Sequence, residues 1–369
     1  MKRFFVALCA AAALSLAACG GSSTATNPST GAGSLTPPAA SLTGAGATFP
    51  APFYSAAFYG YNQKFSQVTV NYQSVGSGAG IQQLTAKTVD FGASDVPMSS
   101  KELDAAGGPD KVVQIASTLG TEGLAYNLQG VATGQLKLTP DTIAGIFLGT
   151  IKKWNDPALA ADNSGVSLPD KAIQVVHRSD GSGTTYIFTD YLSSVSADWK
   201  SKVGKGKSVN WPVGQGAKGN EAVATTVKNT PGAIGYVELA YILQTNMTQA
   251  SLKNKDGNFV VPSPEGATVA ASQYLAINPS QFSIVNAPGK NSAPISGYSW
   301  LMVYKDQADK TKGTALVDLL YWLVNNDGQQ FAANVHYSKL PVNMVRDDVN
   351  ALKTVTSGGS TLLNVSSPS

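Results

Sequence analysis

Along the chain, short apolar runs alternate with stretches in which apolar residues recur at helical spacing. The runs predict buried strands at 68–72, 89–93, 172–176, 232–237 and 298–304. The periodic stretches predict helices at 80–87, 138–148, 186–192, 219–228 and 313–325. Strands that alternate with helices are typical of an α/β fold. A mixed apolar run at 119–127 is expected to carry the chain from one lobe to another.

Three loops rich in Gly, Ser and Thr each precede a helical pattern, at 43–49, 76–80 and 180–184. Thr48 is expected to cap the first of these helices. A helix start offers unpaired N–H groups and the positive end of the helix dipole, so it favours an anion. One such loop is most often a plain turn, but three together predict that several helix starts converge on one anion. None matches a nucleotide-binding glycine motif in full.

The loop at 177–185 carries the strongest chemistry of the three, because it combines a guanidinium with hydroxyl groups and two glycines. Arg178 offers a planar fork that suits two oxyanion oxygens at once. Ser182 and Thr184 add hydroxyl donors, and Gly183 lets a ligand approach the backbone closely. Asp180 is expected to bond the far side of the guanidinium and fix its orientation. We interpret this loop as one wall of an oxyanion site.

Asp95 follows the strand predicted at 89–93, in a position where loops carry function. Its plainest interpretation is a turn residue that bonds its own backbone. If it faces the anion, however, its carboxylate repels a fully deprotonated oxyanion and accepts a hydrogen bond from one that keeps a proton. Phosphate keeps a proton near neutral pH, whereas sulfate does not. Ser77, Thr48 and the N–H of Phe49 are expected to complete this opposite wall.

Composition narrows the possible partners. The formal charge of the 369-residue chain is +3, which falls to +1 without Lys2 and Arg3, and no basic stripe appears. We therefore expect no nucleic-acid partner. Beyond Cys9 and Cys19 the chain has no cysteine, which excludes a disulfide framework in the remainder. The stretch 42–357 exceeds the usual size of one domain and predicts two lobes.

The N-terminus reads as an export signal. Lys2 and Arg3 precede an apolar run that is too short to span a membrane in a mature protein. The residues before Cys19 resemble a bacterial lipobox, which implies a signal peptide over 1–18 and lipid attachment at Cys19. An ordinary signal peptide with a chance cysteine is the alternative. Residues 19–41 then form a flexible tether of Gly, Ser, Thr, Ala, Pro and Asn.

Several segments closely resemble the phosphate-binding proteins of bacterial ABC-type phosphate importers. They are 43–52, 70–73 with 76–78, 89–95, 178–184 and 231–238, supported by 151–154 and 211–212. The resemblance implies a two-lobed periplasmic-binding-protein fold of the Venus-flytrap type, with the ligand in the cleft between the lobes. We place lobe I at 42–123 and 297–357, lobe II at 124–296, the crossings near 122–127 and 295–304, and a flexible tail at 358–369.

Residue by residue, the resemblance implies the phosphate ligands and their support. The ligands would be Thr48, Phe49, Ser77, Asp95, Arg178, Ser182, Gly183 and Thr184, with Asp180 holding Arg178. Two departures stand out. Gly78-Ala79-Gly80 replaces a common Ser-Gly-Gly, which removes a hydroxyl and leaves the backbone donors. His177 stands where a second arginine is common, and we expect it to alter only the rim of the cleft.

The resemblance also implies a role and its partners. The protein would bind inorganic phosphate outside the cytoplasm, in the periplasm or at the cell surface, as a lipid-anchored monomer that delivers phosphate to the membrane permease. We expect no enzyme activity, cofactor or metal, because no His/Asp group has ligand spacing and Ser182 lacks a G-x-S-x-G motif. The alternatives are a phosphatase-like enzyme, a binder of sulfate or molybdate, and an adhesin or scaffold that kept the fold.

Overall fold

The computed structural model describes residues 35–363 and 365. The predicted signal peptide (1–18), Cys19 and the tether up to residue 34 lie outside the described residues. Within the described part of the chain, no helix has the length and apolar character needed to cross a membrane.

The strands are β1 (Ala40–Gly46), β2 (Val68–Ser74), β3 (Phe91–Ser94), β4 (Val112–Tyr126), β5 (Lys137–Leu138), β6 (Gln174–Arg178), β7 (Gln215–Ala217), β8 (Ala233–Glu238), β9 (Thr248–Gln249), β10 (Ser251–Lys253), β11 (Phe259–Val260), β12 (Ser296–Tyr304), β13 (Thr356–Ser357) and β14 (Ser360–Thr361).

The helices are α1 (Ala51–Lys64), α2 (Ser77–Thr85), α3 (Ser100–Ala105), α4 (Pro140–Leu148), α5 (Pro157–Asp162), α6 (Gly183–Val195), α7 (Ala197–Lys202), α8 (Gly219–Asn229), α9 (Leu239–Gln244), α10 (Pro264–Ser272), α11 (Lys310–Val324), α12 (Asn326–Gln329) and α13 (Val342–Leu352).

One long sheet runs through the described residues in the order β2-β1-β3-β12-β4-β8-β6-β7, with β9 beside β4. Parallel pairs on either side of the antiparallel β12 and β4 are joined through helices, which confirms the predicted α/β class. The long strand β4 belongs to both halves of this sheet. It pairs with β12 from Val112 to Thr121 and with β8 from Glu122 onward. We call the half with β1–β3 and β12 lobe I, and the half with β6–β8 lobe II.

Lobe I has an aromatic core that fixes the helix α1 on the sheet. Tyr54 and Phe58 of α1 stack on each other with ring centroids 5.3 Å apart. Their edges meet Tyr72 of β2 and Phe91 of β3, and all four rings are largely removed from water. Aromatic pairs of this kind contribute beyond their buried area. This packing holds the ends of β1 and β3 next to the start of α1.

The segment 43–49, predicted as a glycine-rich loop, is mostly a strand. β1 continues to Gly46 because it pairs in parallel with both β2 and β3. Its glycines serve packing, since a Cβ on Gly44 would lie 2.1 Å from the Phe91 ring. Likewise, a Cβ on Gly80 would lie 2.4 Å from the Cα of Gly46. These glycines let helix α2 and strand β3 approach β1 closely.

The helix starts also differ from the prediction. Thr48 does not cap α1, which begins at Ala51 with Pro50 as its N-cap residue. Helix α2 begins at Ser77, so Gly78 and Gly80 lie inside the helix and not in a loop. Helix α6 begins at Gly183, three residues before the predicted start. The shifts of α2 and α6 place Ser77 and Thr184 in the first turn of a helix, whereas the shift of α1 leaves Thr48 three residues before its helix.

Both predicted flexible segments are shorter than expected where the structure describes them. Strand β1 begins at Ala40, inside the predicted tether. At the other end, β13 and β14 form a hairpin. Leu362 and Leu363 are buried against the core, which contradicts a flexible tail beginning at 358. The apolar pair holds this segment on the core, because burying two leucines stabilises the packed state by a few kcal/mol.

Candidate functional site

Three helix starts and the segment before a fourth meet in the cleft between the lobes. The N–H of Gly78 in α2 donates to the carbonyl of Gly181, just before α6 (2.8 Å). The N–H of Gly219, at the start of α8, donates to Asp180 (3.1 Å). The next N–H, of Asn220, donates to the hydroxyl of Thr48, just before α1 (3.1 Å). Two of the three predicted helix starts, those of α2 and α6, therefore meet as expected, together with the start of α8, whereas the anion on which they would converge stays a prediction.

Arg178 ends strand β6 with its guanidinium buried. Its Nε and Nη2 donate to the two carboxylate oxygens of Asp180 at 2.8 and 2.6 Å, and its Nη1 donates to the hydroxyl of Thr184 at 3.3 Å. Burial by itself would lower the pKa of Arg178, but the hydrogen bonds and charge of Asp180 outweigh burial and raise it. The guanidinium therefore stays charged, with its orientation fixed from behind.

Asp95 follows strand β3 and is also buried. Its Oδ1 accepts a hydrogen bond from the hydroxyl of Ser299 in β12 (2.6 Å). Its Oδ2 has no hydrogen-bond partner among the described residues. Burial raises the pKa of Asp95 to about 7, against the opposing hydrogen bond of Ser299 and the charge of Arg178. Oδ2 of Asp95 is therefore free to accept a hydrogen bond, and the carboxyl group exists both with and without its proton near neutral pH.

Ser77 ties the two walls together at the start of α2. Its hydroxyl oxygen accepts from the N–H of Gly183 at 3.0 Å and from the N–H of Asp95 at 3.4 Å. Gly183 itself lies so close to Asp95 that a Cβ there would be 2.5 Å from Oδ2. The structure therefore brings Ser77, Asp95 and Gly183 into one group, next to Arg178 and Thr184.

Thr48 joins this group through Asn220, a residue outside the sequence motifs that predicted the site. The side-chain amide of Asn220 donates to the hydroxyls of Thr48 (2.8 Å) and Thr184 (3.0 Å). Its oxygen accepts from the N–H of Glu238 (3.0 Å). Gly219 and Asn220 lie at the start of the helix predicted at 219–228. A glycine at a helix start is the feature shared by the three predicted loops, and it is the sequence signal that pointed to Asn220. The hydroxyl of Tyr241 also crosses the cleft to the carbonyl of Thr48 (2.6 Å).

Phe49 and Ser182 are placed at the site with their side chains engaged in support. The ring of Phe49 is buried against Gly120, and its carbonyl accepts from the hydroxyl of Tyr337 (2.6 Å). The hydroxyl oxygen of Ser182 accepts from the N–H of Thr185 and so caps helix α6. The cap orders the helix start on which Gly183 and Thr184 lie.

His177 is turned to the outside of this group. Its ring stacks on Trp211 with centroids 4.8 Å apart, and Nδ1 lies 3.0 Å from the carbonyl oxygen of Arg178. Because burial lowers the pKa of His177, the ring is neutral at neutral pH. His177 contacts Trp211 and the backbone of Arg178, whereas Ser182 caps helix α6. The two side chains therefore do not form a nucleophile–base pair with each other. No metal-binding group of three His, Cys, Asp or Glu occurs in residues 35–363 and 365.

Comparisons with known proteins agree with this architecture. A family model described as a PBP superfamily domain matches residues 24–327. The chain is 44% identical over 354 residues to the phosphate-binding protein PstS of Xylella fastidiosa (strain Temecula1), covering 93% of this chain and 95% of the relative. It is 45% identical over 335 residues to the PstS protein of Pasteurella multocida, covering 89% and 95%.

A solved structure confirms the two-lobed fold. The high affinity periplasmic phosphate-binding protein PfluDING, determined bound with phosphate, superposes with a TM-score of 0.65 at 21% identity. The match covers 86% of this chain and 99% of that protein. Given the family model over most of its length and relatives at these identities, the chain belongs to the PBP superfamily and, within it, to the family of the PstS phosphate-binding proteins.

Proposed function

We propose that the protein captures inorganic phosphate in the cleft between its lobes and delivers it to an ABC-type phosphate permease. The observation that carries the proposal is the juxtaposition of a buried guanidinium, Arg178, with a buried carboxyl, Asp95, whose Oδ2 accepts no hydrogen bond from any residue that the structure describes. A cation and a free acceptor side by side suit an anion that also carries a proton. Hydrogenphosphate has both features.

The phosphate ligands that we propose lie on both sides of the cleft. Arg178, the N–H groups of Gly183 and Thr184, and the hydroxyl of Thr184 would donate from lobe II. Thr48, the N–H of Phe49, and Ser77 would donate from lobe I, and Asp95 would accept from the P–OH group. Ser182 adds its hydroxyl proton while its oxygen caps α6. Charge-assisted hydrogen bonds in a site closed to water are the stronger kind.

Asp95 provides the selectivity against sulfate. When the carboxylate faces a fully deprotonated oxyanion, two lone pairs oppose each other and neither finds a donor. Molybdate and sulfate therefore bind poorly, whereas phosphate satisfies the carboxylate with its own proton. A protein that works in this way binds and releases its ligand unchanged, so we infer a binding protein and not an enzyme.

We also propose the partners that the family membership suggests. The closed lobes would present one combined surface to the permease, and the protein would act as a monomer. Cys19, outside the described residues, would carry the lipid that holds the protein at the membrane, in the periplasm or at the cell surface. Mass spectrometry of the membrane-extracted protein tests the anchor, because substitution of Cys19 by Ser would abolish the lipid mass.

Titration calorimetry with phosphate, and with sulfate as competitor, tests the function. We expect tight phosphate binding that excess sulfate does not displace. Arg178→Ala should weaken phosphate binding by at least about a hundredfold, since a charged hydrogen-bond pair contributes about 3 kcal/mol. The exposed Arg346→Ala serves as the matched control. Unchanged affinity in Arg178→Ala would remove this group from the site.

A second variant tests the selectivity. Asp95→Asn should retain phosphate binding but let sulfate compete, while the exposed Asp110→Asn should change neither ligand. If sulfate competes equally well with the unsubstituted protein, the proposed role of Asp95 is wrong. Turnover of a chromogenic phosphate ester by the purified protein would instead indicate a phosphatase.

A further inference from the structure

Two carboxyl side chains oppose each other where strand β4 leaves lobe I and joins lobe II. Glu122 of β4 pairs directly with Glu238 of β8 in the antiparallel register. Both residues are fully buried. Directly opposite residues place their side chains on the same face of a sheet, with Cβ atoms about 4.5–5.5 Å apart. The phosphate site proposed above assigns no role to this carboxyl pair.

The pair lies on the sheet face that forms the floor of the cleft. Side chains alternate along a strand, so Glu122 shares its face with Gly120 and Thr118 of β4. A Cβ on Gly120 would lie 2.6 Å from the ring of Phe49, which places Phe49 over this face. Ser299, the partner of Thr118 in β12, donates to Asp95 from the same face. The floor under the proposed phosphate site therefore carries three acidic groups.

Hydrogen bonds distinguish the two carboxyl groups. Oε2 of Glu238 accepts from the hydroxyl of Tyr337 and from the N–H of Ala240, both at 2.9 Å. Oε1 of Glu238 and both oxygens of Glu122 have no partner that donates to them among the described residues. A buried carboxylate without donors is very unfavourable, and two adjacent ones do not both ionise. Glu238, whose Oε2 has two donors, is thus better suited to carry a charge, and Glu122 to keep a proton.

The surrounding groups favour a bound proton at this pair. Burial raises the pKa of Glu122 well above its ordinary value, and the charges of Asp95 and Glu238 raise it further, while Arg178 opposes them. Burial likewise raises the pKa of Glu238, opposed by its hydrogen bond from Tyr337.

The other titratable groups that face the pair are the hydroxyls of Tyr236 and Tyr241, which stay neutral because burial raises their pKa values well above 10. The positive charge of Arg178 acts on Glu122.

The pair is covered by lobe I. Tyr337 and Phe49 lie over it from that lobe, and Tyr337 also donates to the carbonyl of Phe49. Separation of the lobes would remove this cover and let water reach both carboxyl groups. In water each has an ordinary carboxyl pKa of about 4.3 and ionises at neutral pH.

We propose that Glu122 and Glu238 form a second proton-binding site of the cleft, which takes up one proton when the lobes close over phosphate and releases it when they open. The inference rests on the proposed phosphate-binding function. It makes phosphate affinity depend on proton concentration through Glu122, in addition to the titration of phosphate and of Asp95. Because one proton is bound on closure, the phosphate affinity falls about tenfold for each unit by which the pH rises in the alkaline range.

Calorimetry counts this proton directly. Phosphate is titrated at pH 8 into the protein in buffers of different ionisation enthalpy, and the dependence of the observed heat on the buffer gives the protons taken up. We expect Glu122→Gln to bind phosphate with one proton fewer than the unsubstituted protein and with a shallower loss of affinity between pH 7.5 and 9. The exposed Glu265→Gln removes the same charge elsewhere and should leave the proton count unchanged.

The outcomes separate the inference from the function it rests on. Phosphate binding with the same proton count in Glu122→Gln and in the unsubstituted protein overturns the pair alone. No phosphate binding by the unsubstituted protein at any pH overturns both proposals. If Glu122→Gln fails to fold, the infrared difference spectrum of Asp95→Asn on phosphate binding decides. A new protonated-carboxyl band supports the pair, and its absence overturns it.

Discussion

At the scale of single residues, Asp95 shows how a buried group links protein stability to pH. Burial raises its pKa to about 7, above the value near 4 that it has in the unfolded chain. Between these two values the folded protein binds a proton that the unfolded chain has released. The contribution of Asp95 to stability is therefore complete below about pH 4 and is lost as the pH rises to about 7.

We predict that Asp95→Asn removes this part of the pH dependence. In the absence of phosphate, the free energy of unfolding of the unsubstituted protein should fall by a few kcal/mol between pH 4 and pH 7 relative to that of the variant. Urea unfolding at several pH values measures both. The surface variant Asp110→Asn should follow the unsubstituted protein. Parallel curves for Asp95→Asn and the unsubstituted protein would show that Asp95 has an ordinary pKa when folded.

The residues of the site differ in how visible they are in the sequence. Arg178, Asp180 and Thr184 lie within seven consecutive positions of the sequence, so their chemistry can be recognised together. Asn220 contacts Thr48, which is 172 positions away, and Ser299 contacts Asp95 from 204 positions away. Such contacts depend on the sheet order and the closure of the cleft, which no local pattern contains. The glycine before Asn220 indicated a helix start but not its target.

At the scale of elements, the start of helix α6 is where the two walls meet. Gly183 fits because a Cβ there would lie 2.5 Å from both Cβ and Oδ2 of Asp95. Helix α6 belongs to lobe II and Asp95 to lobe I, so the close approach exists only while the cleft is closed. The absence of a side chain at position 183 is thus a condition for closure and not for the folding of either lobe.

We predict that Gly183→Ala weakens phosphate binding at least about tenfold and leaves the fold intact. The added methyl group prevents helix α6 from reaching Asp95, and a mismatch of this kind costs about 1–3 kcal/mol. Calorimetry measures the affinity, and circular dichroism and thermal unfolding check the fold. Ser194→Ala, exposed at the other end of α6, is the control. Full affinity in Gly183→Ala would mean that phosphate binds without this approach.

Among the elements, periodic helices and apolar strands could be predicted, whereas β1 could not. Six of its seven residues are Ala, Ser, Thr or Gly, which are typical of loops as well. It is a strand because β2 and β3 pair with it on both edges, and because Phe91 packs over Gly44. The starts of α2 and α6 moved for a related reason, since contacts across the cleft order residues that favour turns in isolation.

At the scale of the whole molecule, closure is held by contacts that bridge the lobes outside the phosphate site. Lys207 of lobe II forms an ion pair with Glu102 of α3 in lobe I. Burial opposes the charge of Glu102, but Lys207 and the N-cap residue Ser99 together hold the pKa of Glu102 below its ordinary value. The backbone carbonyl of Lys207 also accepts from the N–H of Ser182. The pair therefore connects the rim of the cleft to the start of α6.

We predict that Lys207→Met weakens phosphate binding about two- to fivefold at low salt, because a partly exposed ion pair contributes at most about 1 kcal/mol. The side chains of Lys207 and Glu102 are only 20% and 25% exposed, and the pair joins one lobe to the other. The loss should shrink as salt screens the charges. Calorimetry at low and high salt measures it, and small-angle X-ray scattering at a sub-saturating phosphate concentration should show a larger radius of gyration for the variant.

The matched control for Lys207→Met is Lys202→Met, which breaks the ion pair with Asp198 within α7 of lobe II. Its side chains are 59% and 70% exposed, and both stay on the same lobe when the cleft opens. The control should therefore leave both the affinity and the radius of gyration unchanged. Equal effects of the two substitutions, which each remove one positive charge, would show that net charge, and not the contact between lobes, governs binding. A specific effect of Lys207→Met, by contrast, follows only if phosphate binding and lobe closure are one equilibrium.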